Sequence, residues 1–298
     1  MAPIFTHPDH AQAPGPGAGY RRRMSSDPRD VLTRPAPPPD ATVAYGDHPE
    51  QCADLRRPAG DGPARPLVVV VHGGFWRAGY DRAHTGPMAA ALAALGHPVA
   101  QIEYRRTGQP GGGWPHTLTD VRTGVAALPA LAAAALPGRV APVPPILVGH
   151  SAGGHLALYV AGSAPETVGG VLALAPVADL AEAYRLDLDG GAVAALLGGG
   201  PADVPARYAE ADPSALVPVR TRTVVMHGLL DRQVPVAISR AWVAANRAAG
   251  GDADLVELPE CEHFGLIAPG SVAWPQVVAA LRSLHNDHPG IDAALPTR

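Results

Sequence analysis

One serine of the chain lies in the pentapeptide Gly149-His150-Ser151-Ala152-Gly153, between a short apolar run and a helix-like stretch. A nucleophilic serine needs such a tight strand-to-helix turn, because the turn lifts the hydroxyl clear of the sheet. Small flanking residues let the chain turn without clashes, and the following helix aims free N–H groups at developing negative charge. We therefore predict that Ser151 is a nucleophile.

A second motif, His72-Gly73-Gly74-Phe75-Trp76, directly follows the most hydrophobic run of the chain. Acyl transfer needs at least two backbone N–H donors where the carbonyl oxygen becomes negative. A glycine pair at a strand end lets the backbone approach a substrate closely, as in the H-G-G loops of lipases and esterases. We expect an oxyanion hole made by the N–H groups of Gly74 and Ala152, with Gly73 or Phe75 as the next candidate.

A nucleophilic serine also needs a base, and the base needs a carboxylate that orients it. His263 follows the apolar run 255–258, and Asp231 follows the run 223–226. The order Ser151, Asp231, His263 places all three residues just after predicted strands, in the order that this kind of site uses. We predict that His263 is the base and Asp231 the acid.

Other titratable residues compete for these roles. Asp179 is the main rival of Asp231, because some hydrolases take the acid from the preceding strand. We expect His227 to brace the acid loop and His72 to bond backbone beneath the oxyanion loop. The remaining neighbours are expected to pack, face solvent or stay inert: His150, His155, Glu260, Glu262 and Cys261. The sequence has no H-E-x-x-H or similar spacing, so we predict no metal site.

The elements that must position these residues follow an alternating pattern. Continuous apolar runs indicate strands buried on both faces; they span residues 66–71, 98–102, 145–148, 171–175, 223–226 and 255–258. Ala- and Leu-rich stretches between and after them predict helices over 88–95, 118–135, 154–161, 236–248 and 274–284. Strands that alternate with helices indicate a mostly parallel sheet with helices on both faces.

Two regions depart from this alternation. Residues 1–40 are rich in proline, glycine, alanine and charge, and we predict a disordered extension there. Residues 176–219 are rich in glycine, alanine and aspartate, and we predict a small cap-like insertion over the carboxyl edge of the sheet. The predicted α/β domain is therefore residues 41–298.

Composition limits the remaining possibilities. The 298 residues carry a formal net charge of −4, which gives no electrostatic reason to expect a nucleic-acid partner. All 23 basic residues are arginine, so P-loop, Schiff-base and Ser-Lys chemistry are excluded. Two cysteines cannot form a disulfide framework, and we find neither a signal peptide nor an apolar run of membrane-spanning length. We expect a cytoplasmic protein that does not bind membranes.

The motifs together resemble those of the α/β-hydrolase superfamily, and within it the small esterase and kynurenine-formamidase-like group. The resemblance covers about residues 41–285. It is carried by the segments 149–154, 72–76, 227–235 and 263–264. The pairs Tyr45-Gly46, Tyr104-Arg105 and Trp114-Pro115 also resemble that group. The resemblance implies Ser-His-Asp acyl hydrolysis without a cofactor.

The predicted function is hydrolysis of an ester or formamide bond of a small molecule through an acyl-enzyme. We expect a carboxylesterase; the alternatives are an arylformamidase acting on N-formylkynurenine-type substrates and a non-catalytic ligand-binding member of the fold. Candidate residues to line or support the pocket are aromatic: Phe75, Trp76, Trp114 and Phe264. For Trp76 and Trp114, packing in the core is an equal alternative to substrate contact. The region 176–219 is poor in aromatic residues, which disfavours an aromatic substrate.

Overall fold

A computed structural model describes residues 27–286. Residues 1–26 of the predicted extension and residues 287–298 of the predicted domain lie outside the described residues. From Pro28 to Leu32 the chain forms a 3₁₀ helix, and Val31 within it is only 1% exposed. Within the described range, no helix is both long and apolar enough to cross a membrane.

The described residues form one eight-stranded sheet. In chain order its strands are β1 (Ala41–Ala44), β2 (Cys52–Arg56), β3 (Val68–Val71), β4 (Val99–Ile102), β5 (Ile146–His150), β6 (Gly170–Leu174), β7 (Thr223–Gly228) and β8 (Ala253–Leu258). Their order across the sheet is β1-β2-β4-β3-β5-β6-β7-β8. β1 and β2 pair antiparallel, β2 is antiparallel to β4, and the remaining pairs are parallel.

Helices cover both faces of this sheet. They are α1 (Gly86–Ala94), α2 (His116–Ala135), α3 (Ala152–Ser163), α4 (Leu180–Arg185), α5 (Ala192–Leu197), α6 (Pro205–Ala211), α7 (Val236–Ala248) and α8 (Trp274–Asn286). Alternate residues of β3 face opposite cores: Val69 and Val71 pack with α2, α3 and α7, whereas Val68 and Val70 pack with α1 and α8. Burial on both faces is the reason that the central strands read as continuous apolar runs.

The six strands and five helices predicted from the sequence are all present, with ends shifted by a few residues. The sequence analysis did not find β1 and β2. β1 alternates between half-buried and exposed residues at the sheet edge, so it lacks the continuous apolar run of a central strand. Between β6 and β7, residues 176–219 contain the short helices α4, α5 and α6 and no strand.

Candidate active site

Ser151 sits at the turn between β5 and α3. Its backbone has φ 56° and ψ −118°, which is rare for a residue with a side chain. The turn is held by the surrounding backbone, because the Ser151 N–H donates to Leu174 O at 2.8 Å. A strained conformation that the fold holds in place is common where a side chain must be presented for chemistry.

Two glycines make this turn possible by packing. A Cβ atom on Gly149 would lie 2.2 Å from Gly153 O, and one on Gly153 would lie 2.1 Å from Val71 O. Both distances are far below van der Waals contact, so larger residues would push helix α3 away from the sheet. The glycines of the Ser151 motif therefore let the helix start close to the ends of β3 and β5.

The base and acid predicted from the sequence lie together. His263 is the first residue of a 3₁₀ helix (His263–Ile267) that follows β8, and Asp231 lies in the loop after β7. His263 Nδ1 lies 2.6 Å from Asp231 Oδ2, which is a short hydrogen bond in which the ring donates. The proton on Nδ1 leaves Nε2 as the ring's acceptor, and His263 and Ser151 line the same pocket.

Asp231 is kept ionised by its hydrogen bonds. Oδ1 accepts from the backbone N–H groups of Gln233 (2.7 Å) and Val234 (2.9 Å), while Oδ2 also lies 3.3 Å from His227 Nε2. Burial would raise the pKa of Asp231, but hydrogen bonds from His227 and His263 more than offset it, and the pKa lies well below its ordinary value. His227 bonds Val234 O and Ser239 Oγ as well, so it contacts the acid loop, where the sequence analysis expected it.

Two further groups hold the 3₁₀ helix that His263 begins. His150 Nε2 donates to His263 O at 3.0 Å, and the two rings lie 4.5 Å apart. Burial lowers the pKa of His150 well below its ordinary value, so this ring is neutral. Glu262, expected to face solvent, is half-buried and caps the 3₁₀ helix by accepting from the N–H groups of Phe264 and Gly265.

The His72–Trp76 loop lies beside Ser151. A Cβ atom on Gly73 would be 3.1 Å from Ser151 Cβ, so the loop and the turn are in close contact. Within residues 27–286, the N–H groups of Gly73, Gly74 and Ala152 donate to no protein acceptor. Gly74 lines the same pocket as Ser151, and Ala152 begins helix α3, whose dipole also favours negative charge. These donors can stabilise an oxyanion on a carbon bound to Ser151.

The loop is anchored from two sides. Trp76 is fully buried, and its indole N–H donates to His155 Nδ1 at 3.2 Å, while His155 Nε2 donates to Ala211 O at 3.0 Å. Burial lowers the pKa of His155 to about 4, so the ring stays neutral and one nitrogen can accept. Phe75 and Trp76 both have positive φ, at 48° and 57°, which this packing must hold in place.

Glu103 is a buried neighbour of the His72–Trp76 loop that the sequence analysis missed. β3 and β4 are parallel with Val71 opposite Ile102, so the next residues, His72 and Glu103, are adjacent. His72 Nε2 lies 2.8 Å from Glu103 Oε1, and His72 Nδ1 lies 2.8 Å from Gly73 O. Both ring nitrogens face acceptors, so the ring links the carboxylate directly to the oxyanion loop. Its position one residue after a predicted strand was the only sequence signal for Glu103.

The ionised form of Glu103 depends on the groups that face it. Burial would raise the pKa of Glu103, but His72 and Arg106 outweigh it, and the pKa falls from 4.5 to about 2. Because the folded-state pKa is depressed, the ionised form contributes stability above pH 4.5, and this contribution is lost as the pH falls towards 2.

We therefore expect Glu103→Gln to lower the free energy of unfolding at pH 7 by about 2–4 kcal/mol, because it removes one partner of a buried ion pair. The difference from the wild type should shrink as the pH falls from 4.5 to 2. Urea unfolding across this range measures it, and Glu182→Gln, at an exposed pair, is the control. An equal difference at all pH values would contradict this role for Glu103.

The pocket above Ser151 has a volume of about 60 Å³. Of the four aromatic candidates, Phe75 and Phe264 line it, whereas Trp76 and Trp114 do not. Trp76 is fully buried against His155. Trp114 packs against the core, and its backbone N–H donates to Leu196 O. Side chains that the sequence analysis did not select complete the lining: Leu32, Tyr80, His84, Asp189 and Gln233. The aromatic lining therefore comes from loops other than 176–219.

The rival residues lie in other roles. Asp179 caps helix α4 by accepting from the Glu182 N–H at 2.8 Å. The Cys261 thiol is buried, and burial raises its pKa to about 12, so it carries no thiolate at neutral pH. Glu260 is exposed.

Comparison with known proteins agrees with this architecture. The model of the BD-FAE family matches residues 53–245, about two thirds of the chain. No curated protein sequence matches significantly. Among solved structures, a truncated carbohydrate esterase from gut microbiota is similar with a TM-score of 0.72 and 19% identity, covering 85% of this chain and 99% of that one.

Two further solved structures are similar. Esterase B from Lactobacillus rhamnosis, inhibited by a tributyrin phosphonate, has a TM-score of 0.70 and 19% identity, with 86% and 89% of the two chains covered. A thermophilic esterase from Thermogutta terrifontis, a Planctomycetes species, with propionate bound, has a TM-score of 0.65 and 21% identity, with 86% and 96% covered. The predicted α/β-hydrolase fold is confirmed.

Proposed function

The chain belongs to the BD-FAE family, and from this we propose that it is a serine esterase that hydrolyses small esters through an acyl-enzyme. The observation that carries the proposal is a single arrangement. Ser151, on a turn with positive φ, shares a pocket with His263, whose Nδ1 is 2.6 Å from the buried carboxylate of Asp231. Nucleophile, base and orienting acid are the parts that acyl transfer needs.

The proposed reaction has two halves. Ser151 Oγ attacks the carbonyl carbon of the ester as His263 Nε2 takes its proton, and the oxyanion is bound by the N–H groups of Gly74 and Ala152. His263 then returns the proton to the alcohol oxygen as the bond to it breaks, which leaves an acyl-Ser151. A water molecule, deprotonated by His263, hydrolyses this ester and restores the serine. Asp231 stabilises the imidazolium in both halves.

A solved neighbour with a bound short-chain carboxylate favours a short acyl group. The neighbour from Thermogutta terrifontis was determined with propionate bound, which fits a short acyl group. We therefore propose a carboxylesterase for short-chain esters.

A second candidate is an arylformamidase, because the pocket lining contains the aromatic side chains of Phe75, Tyr80 and Phe264. Turnover of p-nitrophenyl acetate and butyrate compared with that of N-formylkynurenine separates the two. We expect kcat/KM to be at least tenfold higher for the acetate than for N-formylkynurenine. The reverse ratio would establish the formamidase, and resistance of Ser151 to a fluorophosphonate would support a non-catalytic binding protein.

A further inference from the structure

The 3₁₀ helix Pro28–Leu32 lies outside the segment matched by the family model, which begins at residue 53. It is nevertheless firmly placed. The Asp27 carboxylate caps it by accepting from the Arg29 N–H at 2.9 Å, and Val31 is buried in the core that contains α1 and α8. The helix packs between two other 3₁₀ helices, Arg82–Thr85 and His263–Ile267.

This packing brings Leu32 into the wall of the catalytic pocket. Leu32 is half-buried there, together with Phe264. The aromatic ring of Phe264 stands perpendicular to the His263 ring, with the ring centres 5.1 Å apart. Leu32 and Phe264 thus form an apolar wall next to the base.

Two other ionisable side chains of the pocket lining, those of His84 and Asp189, are neutral or paired. Burial lowers the pKa of His84 to about 4, so this ring is neutral at pH 7. Asp189 is paired with Arg77, whose Nε donates to Asp189 Oδ2 at 2.5 Å. An uncharged group therefore enters this pocket without leaving a buried charge unpaired.

The role proposed for His263 indicates which group of the ester lies next to Leu32 and Phe264. His263 must return a proton to the leaving oxygen, so that oxygen has to lie within hydrogen-bond distance of His263 Nε2. The group attached to that oxygen then lies beside the helix that His263 begins, and the Pro28–Leu32 helix packs on this same helix.

We propose that Leu32 and Phe264 form the leaving-group subsite and that this subsite selects uncharged aryl leaving groups, such as those of phenyl esters. Flat rings bury apolar area against a leucine and a phenylalanine, whereas polyol leaving groups lose hydrogen bonds with water there. Leu32 is then a specificity-determining residue supplied by a segment that the family model does not cover. This inference rests on the proposed esterase function.

The test compares Leu32→Gln with Leu32→Met, because the two new side chains have similar lengths but only glutamine is polar. The substrates are 1-naphthyl acetate and trifluoroethyl acetate, which share the acyl group and differ in the leaving group. We expect Leu32→Gln to lower kcat/KM for the naphthyl ester about tenfold, mainly by raising KM, and to change the trifluoroethyl ester less than twofold. Leu32→Met should stay within twofold of the wild type on both.

Titration of Ser151 with a fluorophosphonate measures the concentration of active sites, to which all rates are normalised. Leu95→Ala, at an exposed leucine outside the pocket, is the surface control. Equal losses on both substrates, or no loss on either, would overturn the role of Leu32. A changed ratio of p-nitrophenyl acetate to butyrate turnover, with the naphthyl preference unchanged, would place Leu32 on the acyl side and also overturn it. A wild-type chain that hydrolyses no ester and resists the fluorophosphonate would instead show that the proposed function itself is wrong.

Discussion

Replacement of Ser151 by alanine is expected to lower kcat for p-nitrophenyl acetate by about 10⁴-fold or more, with little change in fold. The substitution removes the oxygen that forms the acyl-enzyme and leaves the N–H groups of Gly74 and Ala152 in place. The loss corresponds to roughly 5–6 kcal/mol of transition-state stabilisation. Steady-state kinetics and covalent labelling with a fluorophosphonate measure the two consequences separately.

Alanine at this turn retains a Cβ atom, so the positive φ of residue 151 is no more strained than in the wild type. Ser163→Ala, at the far end of helix α3, is the matched control and should leave activity unchanged. If the alanine variant at 151 kept labelling, or kept activity within about tenfold of the wild type, another residue would be the nucleophile.

Replacement of Asp231 by asparagine is expected to lower kcat about 10³- to 10⁴-fold, for a reason visible in its hydrogen bonds. Oδ1 accepts from two backbone N–H groups, so the amide oxygen of asparagine must take that position. The amide NH₂ group would then face His263 Nδ1, where it can only donate. The proton of His263 would move to Nε2, and the ring could no longer accept a proton from Ser151.

The control is Asp179→Asn, because Asp179 lies at the cap of α4 and contacts Glu182 instead of His263. We expect activity within about twofold of the wild type for this variant. Initial rates of hydrolysis and of fluorophosphonate labelling should fall together in the Asp231 variant, with the far-ultraviolet circular dichroism unchanged. If Asp179→Asn stayed folded and lost more activity than Asp231→Asn, then Asp179, after β6, would be the residue that orients His263.

The central strands, the turn at Ser151 and the Asp231 and His263 candidates could be predicted from the sequence, because each depends on residues close together in the chain. Buried parallel strands need continuous apolar runs, and six of the eight strands are found from such runs. The turn at Ser151 needs glycines within two residues on either side, so the motif itself indicates the strained backbone. The candidates Asp231 and His263 follow because each comes just after a strand, and parallel strands end at one edge of the sheet.

Tertiary structure decided the features whose partners are distant along the chain. Sequence order does not show that β3 and β4 are neighbours, and only that pairing brings Glu103 against His72. The sequence left both core packing and substrate contact open for Trp76, and only the tertiary structure shows that its indole is buried against His155. Leu32 lies in a short proline-flanked turn without periodicity, and it joins the pocket only because the helices that begin at Arg82 and His263 pack on that turn. Local patterns determine which backbone a segment adopts, whereas the contacts between segments depend on the packing of the whole chain.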